Sequence, residues 1–394
     1  MDQESANMVG RDAPAIEIVV PGVDLRAQYR SIKTDIDEAI RRVIDSGEFE
    51  RGPELDRFEE AFAAFCGTQC AVAVGSGYAA LFLALKAAGV GSSDEVITTA
   101  NTDMATISAI SHTGARPVLV DIDARTHNID PALIEAKVTP RTRALMPIHL
   151  YGLPADMDPV MDIAERHNLI VIEDAALALG ARYKGRRVGG IGHLGCFSFA
   201  PNKILGAYGD GGIVTTDDAH LADKVRLWGS YGERRVFERV GPIDHLVPME
   251  DDVDGYHTHL DTLQAAILSA KLPHAEGWIA RRRQLAAAYD SALSGLPLET
   301  PYVPEGHAHV YRNYVIQTPD RDRVRRHLAS RGVSTYLLYI PPVHLQRVYQ
   351  GRGYQAGDLP VTETVAEKLL CLPIYAELTE EQVRYVGDCL AETT

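Results

Sequence analysis

Lys203 ends the segment Phe197-Ser198-Phe199-Ala200-Pro201-Asn202-Lys203, just past a short apolar run and ahead of Gly206, Gly209, Gly211 and Gly212. A lysine in a loop is ordinarily a solvated charge. One pinned beside a strand end, where glycines let backbone approach something flat or anionic, has the surroundings of an amine that forms a Schiff base. A second group lies about one strand earlier. Leu169 to Ile172 runs straight into Glu173 and Asp174, leaving a carboxylate at the carboxyl edge of a buried strand. Taken alone, Asp174 is equally well read as the cap of a following helix. The third group is Val72-Ala73-Val74 followed by Gly75-Ser76-Gly77-Tyr78 and a helical run from Ala79 to Lys86. Strand, glycine turn and helix start make an anion site, because unpaired N–H groups and the helix dipole converge there. It is neither a Walker loop nor a complete dinucleotide fingerprint, which argues against a nucleotide reading. Amine, carboxylate and anion cradle together call for a ligand with a reactive carbonyl, a basic site and a phosphate. Pyridoxal 5′-phosphate has all three. On this reading Asp174 keeps the pyridine nitrogen protonated, while Lys203 carries the cofactor and moves the proton.

The elements that must hold these groups alternate. Seven short apolar runs, Ala71 to Val74, Val96 to Thr98, Pro117 to Val120, Ala144 to Ile148, Leu169 to Ile172, Cys196 to Phe199 and Ile213 to Thr215, are separated by helical patterns. That order predicts an α/β domain with a mainly parallel, seven-stranded sheet, whose ligand chemistry gathers at the carboxyl strand ends. A leader is expected over residues 1–23 and the large domain over 24–260. The latter opens with a helix carrying Ile32, Ile36, Ile40 and Val43 up to Gly47, and a second from Pro53. From Leu227 to His259 periodicity is lost, with a basic start at Arg234, Arg235 and Arg239 and an acidic finish at Glu250, Asp251, Asp252 and Asp254. Residues 261–394 read as linking helices and a smaller α+β domain. Its parts are a strand near Tyr311 to Ile316, a helix from Asp320 to Gly332, a strand near Val333 to Ile340 and a last helix from Thr379 to Leu390.

Composition narrows the function. The chain has 394 residues, 46% hydrophobic and 24% charged, which is globular and exceeds one ordinary core. Lys and Arg number 39 against 54 Asp and Glu, a formal charge of −15 that repels nucleic acid and anionic lipid. Five cysteines without a CxxC pair suggest neither a disulfide framework nor a zinc site, and no segment has the length of a membrane span. A cytoplasmic protein is expected. His257-Thr258-His259 shares one strand face but lacks a third ligand cluster, so no metal is expected.

Ile172-Glu173-Asp174-Ala175-Ala176, the Phe197 to Lys203 segment, Gly209-Asp210-Gly211-Gly212 and Leu263-Gln264-Ala265-Ala266 together resemble the DegT/DnrJ/EryC1/StrS family of fold type I aminotransferases, over about Asp24 to Leu390. The resemblance implies a homodimer with shared active sites, and transfer of an amino group from an amino acid, L-glutamate in the first place, to a nucleotide-linked keto sugar in amino-deoxysugar biosynthesis. It assigns Lys203 as the Schiff-base lysine and Asp174 as the pyridinium partner. Ser198 with the backbone of Gly77 and Tyr78 forms the phosphate cradle. Four positions depart from the family pattern. Asp103 stands where an aromatic ring often stacks on the cofactor, and Leu177 where a glutamine often bonds its hydroxyl. His257 to His259 replaces an Asn-x-Arg that reaches the partner's cofactor phosphate, and Arg312 replaces a common histidine. His257 is read as the phosphate donor across the dimer, and Tyr231, His259 and His344 as substrate contacts. A dehydratase of the same family is a rival, though dehydrating relatives replace the lysine with histidine. A non-catalytic regulator keeping the fold is the other.

Overall fold

The computed structural model describes residues 19–232, 253–349 and 351–393. The charged residues Arg234, Arg235, Arg239, Glu250, Asp251 and Asp252 lie outside them. In chain order the first elements are helices α1 (Leu25–Ser31), α2 (Lys33–Ser46) and α3 (Pro53–Cys66). α2 stops at Gly47, whose φ of 70° is the left-handed C-terminal cap the sequence asks for. There follow β1 (Cys70–Val74), α4 (Gly77–Ala87), β2 (Glu95–Thr99), α5 (Met104–His112), β3 (Arg116–Val120), β4 (Thr142–Leu145), α6 (Met157–His167) and β5 (Ile170–Asp174). Two short strands, β6 (Arg182–Tyr183) and β7 (Arg186–Arg187), precede β8 (Leu194–Ser198), β9 (Gly212–Thr216) and α7 (Ala219–Gly229).

All seven apolar runs become strands of one sheet, in the order β1-β9-β8-β5-β4-β2-β3. Only β9 runs against its neighbours; the β8-β5-β4-β2-β3 pairs are parallel. β1 and β8 both pair with β9, and Gly212 faces Val74 on one side and Ser198 on the other. The carboxyl ends of β1, β8 and β5 therefore lie along one edge, where ligands bind in such sheets. The fold is of the fold type I class that the resemblance implies.

One face of the sheet packs on an aromatic cluster in which Phe62 meets Phe197 and Phe199 edge-on, with centroids 5.1 and 5.3 Å apart. These two phenylalanines flank Ser198, so α3 fixes the strand that presents it.

Beyond the sheet come α8 (Thr262–Lys271), α9 (Ala275–Ala292), β10 (His307–Ala308), β11 (Tyr314–Gln317), α10 (Arg321–Ser330), α11 (Pro360–Lys368), β12 (Leu369–Leu372) and α12 (Glu380–Ala391). β11 and β12 pair antiparallel, and a second core forms around Leu285, Tyr289, Tyr314, Leu328, Leu370 and Val386. Two expectations are corrected here. Val333 to Ile340 is not a strand but an irregular segment with single bridges from Val333 to Val20 and from Tyr336 to Cys371. Pro341 and Pro342, which lack an N–H to donate, follow it closely. The partner of β11 is instead the apolar Leu369–Leu372. Nor is the chain free up to residue 23, since Val20 is fully buried in the second core.

Phe62 is fully buried. Phe62→Ala is expected to destabilise the fold by ~4 kcal/mol through the cavity it leaves. A chemical denaturation midpoint unchanged from the parent chain would contradict that.

Candidate active site

Glu173 and Asp174 are consecutive in β5, so their side chains leave opposite faces of the sheet. Both are buried, yet they are in opposite electrostatic states. Glu173 bonds His149 Nε2 at 2.8 Å and accepts the N–H groups of Gly189, Ile191 and Gly192 at 2.7–2.8 Å. Burial pushes its carboxyl up, but His149 and these donors outweigh that and hold it below the ordinary range. It is a satisfied structural group. Asp174 has fewer partners: Thr106 Oγ1 donates to Oδ2 at 2.7 Å and the Ala176 N–H to Oδ1 at 3.2 Å. Burial raises its pKa in spite of them. It is therefore a carboxylate placed to gain from a cation or a proton donor. No helix begins at Asp174, which sets aside the helix-cap reading. Its backbone is pinned on both sides, its N–H to Pro147 O at 2.9 Å and its carbonyl to the His149 N–H at 3.0 Å.

Lys203 follows β8 in a tight loop closed by hydrogen bonds from Lys203 N to Ala200 O at 2.9 Å and from Ala207 N to Phe199 O at 2.8 Å. The turn needs Gly206, where an added Cβ would stand 2.4 Å from Pro201 O. The Leu263-Gln264-Ala265-Ala266 motif lies on α8, which holds this loop down. Gln264 Oε1 accepts the Tyr208 N–H at 2.8 Å, and Lys271 Nζ donates to Gly206 O at 2.6 Å. Lys203 lines a cavity with Ala175, Ala176, Leu177, Ser198, Phe199 and Arg312. Burial, then the Arg312 charge, lowers its pKa to about 8, against the opposing pull of Asp174 and Asp103. An amine so tuned has a larger neutral, nucleophilic fraction near physiological pH than an ordinary lysine.

The anion cradle forms at the same edge. Ser76 caps α4, its Oγ accepting the Ala79 N–H at 3.1 Å, which leaves the N–H groups of Gly77 and Tyr78 at the helix start. Gly77 is pressed against β8: a Cβ there would lie 2.5 Å from Ser198 Cβ and 2.9 Å from its hydroxyl. Gly212 presses on the same turn, where an added Cβ would be 2.3 Å from Ser76 O. Glycines thus bring two N–H groups and the Ser198 hydroxyl together, as an anion requires. Carboxylate, weakly basic amine and cradle fit pyridoxal 5′-phosphate.

A profile of the DegT/DnrJ/EryC1/StrS aminotransferase family matches residues 30–391. The chain belongs to that family. It is an aminotransferase, and pyridoxal 5′-phosphate is the cofactor its residues fit. It is 43% identical to the dTDP-3-amino-3,4,6-trideoxy-alpha-D-glucose transaminase of Streptomyces venezuelae, over 95% of this chain and 96% of that one. It is 43% identical to a pleiotropic regulatory protein of Geobacillus stearothermophilus, covering 95% of this chain and 98% of the relative. The crystal structure of S. venezuelae DesV in complex with a ketimine intermediate superposes with a TM-score of 0.90 at 43% identity, covering 95% of this chain and 98% of the other.

The remaining sequence candidates fall at different distances from this cavity. Leu177 is in its wall. Asp103 is the N-cap of α5, its Oδ1 accepting the Ala105 N–H at 2.9 Å, so its carboxylate is part-occupied by the backbone. The Tyr78 hydroxyl bonds His112 Nδ1 at 2.7 Å, so its contribution to the cradle is the backbone N–H. His257 and His259 stack edge-on at 4.8 Å and line an open cleft with Arg51, Ser76 and Asp210, outside the Lys203 cavity of their own chain. Arg51 bonds His259 Nε2 at 2.7 Å, and burial together with that charge lowers the His259 pKa to about 4. Tyr231 is half-exposed and lies beside His257. His344 is buried against Glu363 at 3.0 Å and does not line the cavity. Two participants escape the motif reading. Thr106 touches Asp174 only because α5 starts where β2 ends, near β5, and Arg312 reaches Lys203 from the segment before β11. For Arg312 the departure from the family histidine was the available signal.

Lys203→Ala is expected to abolish attachment of pyridoxal phosphate, read as loss of the visible absorbance of the bound cofactor. Uptake by the unaltered protein should quicken as pH rises through about 8, because the neutral amine is the reacting form. A pH-independent uptake rate contradicts this. Asp174→Asn should fold normally but turn over about a hundred- to a thousand-fold more slowly, since a neutral amide cannot stabilise a charged ring nitrogen.

Proposed function

We propose that this protein is a pyridoxal phosphate-dependent aminotransferase that moves an amino group from an amino acid, L-glutamate in the first place, to a nucleotide-linked keto sugar in amino-deoxysugar biosynthesis. It works in the cytoplasm as a homodimer with active sites shared between subunits. The observation that carries the reading is Lys203, an amine whose pKa is lowered to about 8, in a cavity it lines with Ala175, Ser198 and Arg312, where Ser198 meets Gly77 of the cradle. Among the described residues no helix is long and apolar enough to cross a membrane.

When bound, the cofactor supplies a carbonyl that exchanges amines and a ring that accepts electrons from the carbon losing its proton. Ser198 and the N–H groups of Gly77 and Tyr78 hold the phosphate. Asp174, bonded in the free protein by Thr106 and the Ala176 N–H, would hold the ring nitrogen in its protonated form. Lys203 is the attachment point. Once the donor's amine had displaced it, Nζ would be the base that accepts the donor's α-proton and gives a proton to the cofactor's former carbonyl carbon on the other side of the shared nitrogen. The same groups run these steps in reverse with the sugar ketone. His257 reaches the partner subunit's phosphate in place of an Asn amide, since an imidazole N–H also donates to a phosphate oxygen.

Presence of Lys203 separates this reading from a dehydratase, and turnover separates it from a non-catalytic regulator. Adding L-glutamate to the cofactor-loaded protein should replace the visible band by the near-ultraviolet band of the aminated cofactor, and a nucleotide-linked keto sugar should restore it. A visible band unmoved by any amino acid would overturn the proposal. Mixing inactive Lys203→Ala chains with chains altered at His257 should recover activity after subunit exchange. Failure to complement returns His257 to its own subunit.

A further inference from the structure

The cation in the cavity lacks a counter-charge. Arg312 lines the same wall as Lys203, yet among the described residues no carboxylate forms an ion pair with it, and its Nε is buried without a hydrogen-bond partner. The titratable groups near it are Tyr339, Cys371 and Tyr336, whose neutral forms burial favours, and the cations Lys203 and Arg282. Burying a guanidinium in this way costs stability unless a carboxylate or phosphate completes it. The cofactor phosphate has its own cradle at Gly77 and Ser198, so Arg312 remains for another anion.

The reaction supplies one. An amino acid donor must bring its nitrogen to where Lys203 Nζ stands, and its α-carboxylate is attached to the adjacent carbon. A carboxylate therefore enters this small cavity in every first half-reaction. Arg312 is near enough to Lys203 for its charge to rank next after burial in lowering that amine's pKa. We infer that Arg312 is the carboxylate clamp for the amino donor, holding it through the two-pronged contact that a planar guanidinium makes with a carboxylate. This rests on the aminotransferase reading above and adds a donor-binding residue to it. The charge has a second use in the free protein, since it favours the neutral form of Lys203 and the donor's arrival cancels it.

Arg312 also lies close to Leu177. A Cβ added at Gly152 would stand 3.0 Å from Arg312 N and 3.2 Å from Leu177 O, so the two backbones meet at that glycine. The alternative occupant of the guanidinium is thus the cofactor's ring oxygen. Glutarate separates the two, because it carries carboxylates but no amine, and its binding to the cofactor-loaded protein can be followed by calorimetry without turnover. Arg312→Gln is expected to weaken glutarate binding about ten- to a hundred-fold, with cofactor retention on dialysis and its visible band kept. Arg312→Lys, which keeps the charge and loses the fork, should fall between. Unchanged glutarate affinity in Arg312→Gln overturns the proposal, and if the cofactor band or retention changes instead, the guanidinium belongs to the cofactor. Because no keto sugar enters this measurement, failure of the sugar assignment leaves its result standing.

Discussion

Charge brought out of water is the constraint around which this active site is arranged. Lys203 and Arg312 line one cavity, Asp174 directly precedes its wall residue Ala175, and burial disfavours the charged form of each of the three. In an ordinary core such groups would be paired off, as Glu173 is. The neighbouring residue of the same strand shows what full satisfaction looks like: a histidine and three backbone N–H groups on one carboxylate. Asp174 is denied that company. The difference between two adjacent carboxylates separates a structural group from one kept in reserve for a ligand.

Keeping such groups in place requires the surrounding backbone to be over-determined. Asp174 is tied to Pro147 and His149, and the Lys203 loop is closed on itself and held by Gln264 and Lys271 of α8. Gly77 and Gly212 admit the approach of the cradle turn to β8, which any side chain would block. The aromatic contacts of Phe62 stabilise the strand that carries Ser198. Each device lies at some distance from the chemistry and acts by limiting where the reactive atoms can go.

Two of the departures from the family pattern, Leu177 and Arg312, line the Lys203 cavity. Leu177 offers no hydrogen bond where an amide is common, and Arg312 brings a permanent charge where a histidine is common. These two positions meet at Gly152 and so belong to one local rearrangement. Asp103 is engaged as a helix cap. The Asp174, Lys203 and Ser198 framework that the family resemblance assigns stands beside Leu177 and Arg312.

The sequence by itself determined the alternation of strands and helices, the seven strands of the sheet and the trio of reactive segments, because short apolar runs and glycine turns are local signals that survive whatever lies around them. It also singled out Asp174 and Lys203, not by either residue alone but by their company with each other and with the glycine turn at Gly75 to Gly77. Strand order was not legible, and strand order is what puts Thr106 on Asp174. The segment at Val333 to Ile340 has the composition of a strand but not the partner, which β12 took from it. Val20 looked like part of a free leader until a distant core buried it. His344 and the His257 to His259 segment have types suited to ligand binding, and only packing reveals that one faces Glu363 and the other a separate cleft. Arg312 is the clearest case. Its charge is written in the chain, but whether a carboxylate neutralises it depends on residues far away in sequence, and tertiary structure alone decides that none does among those described.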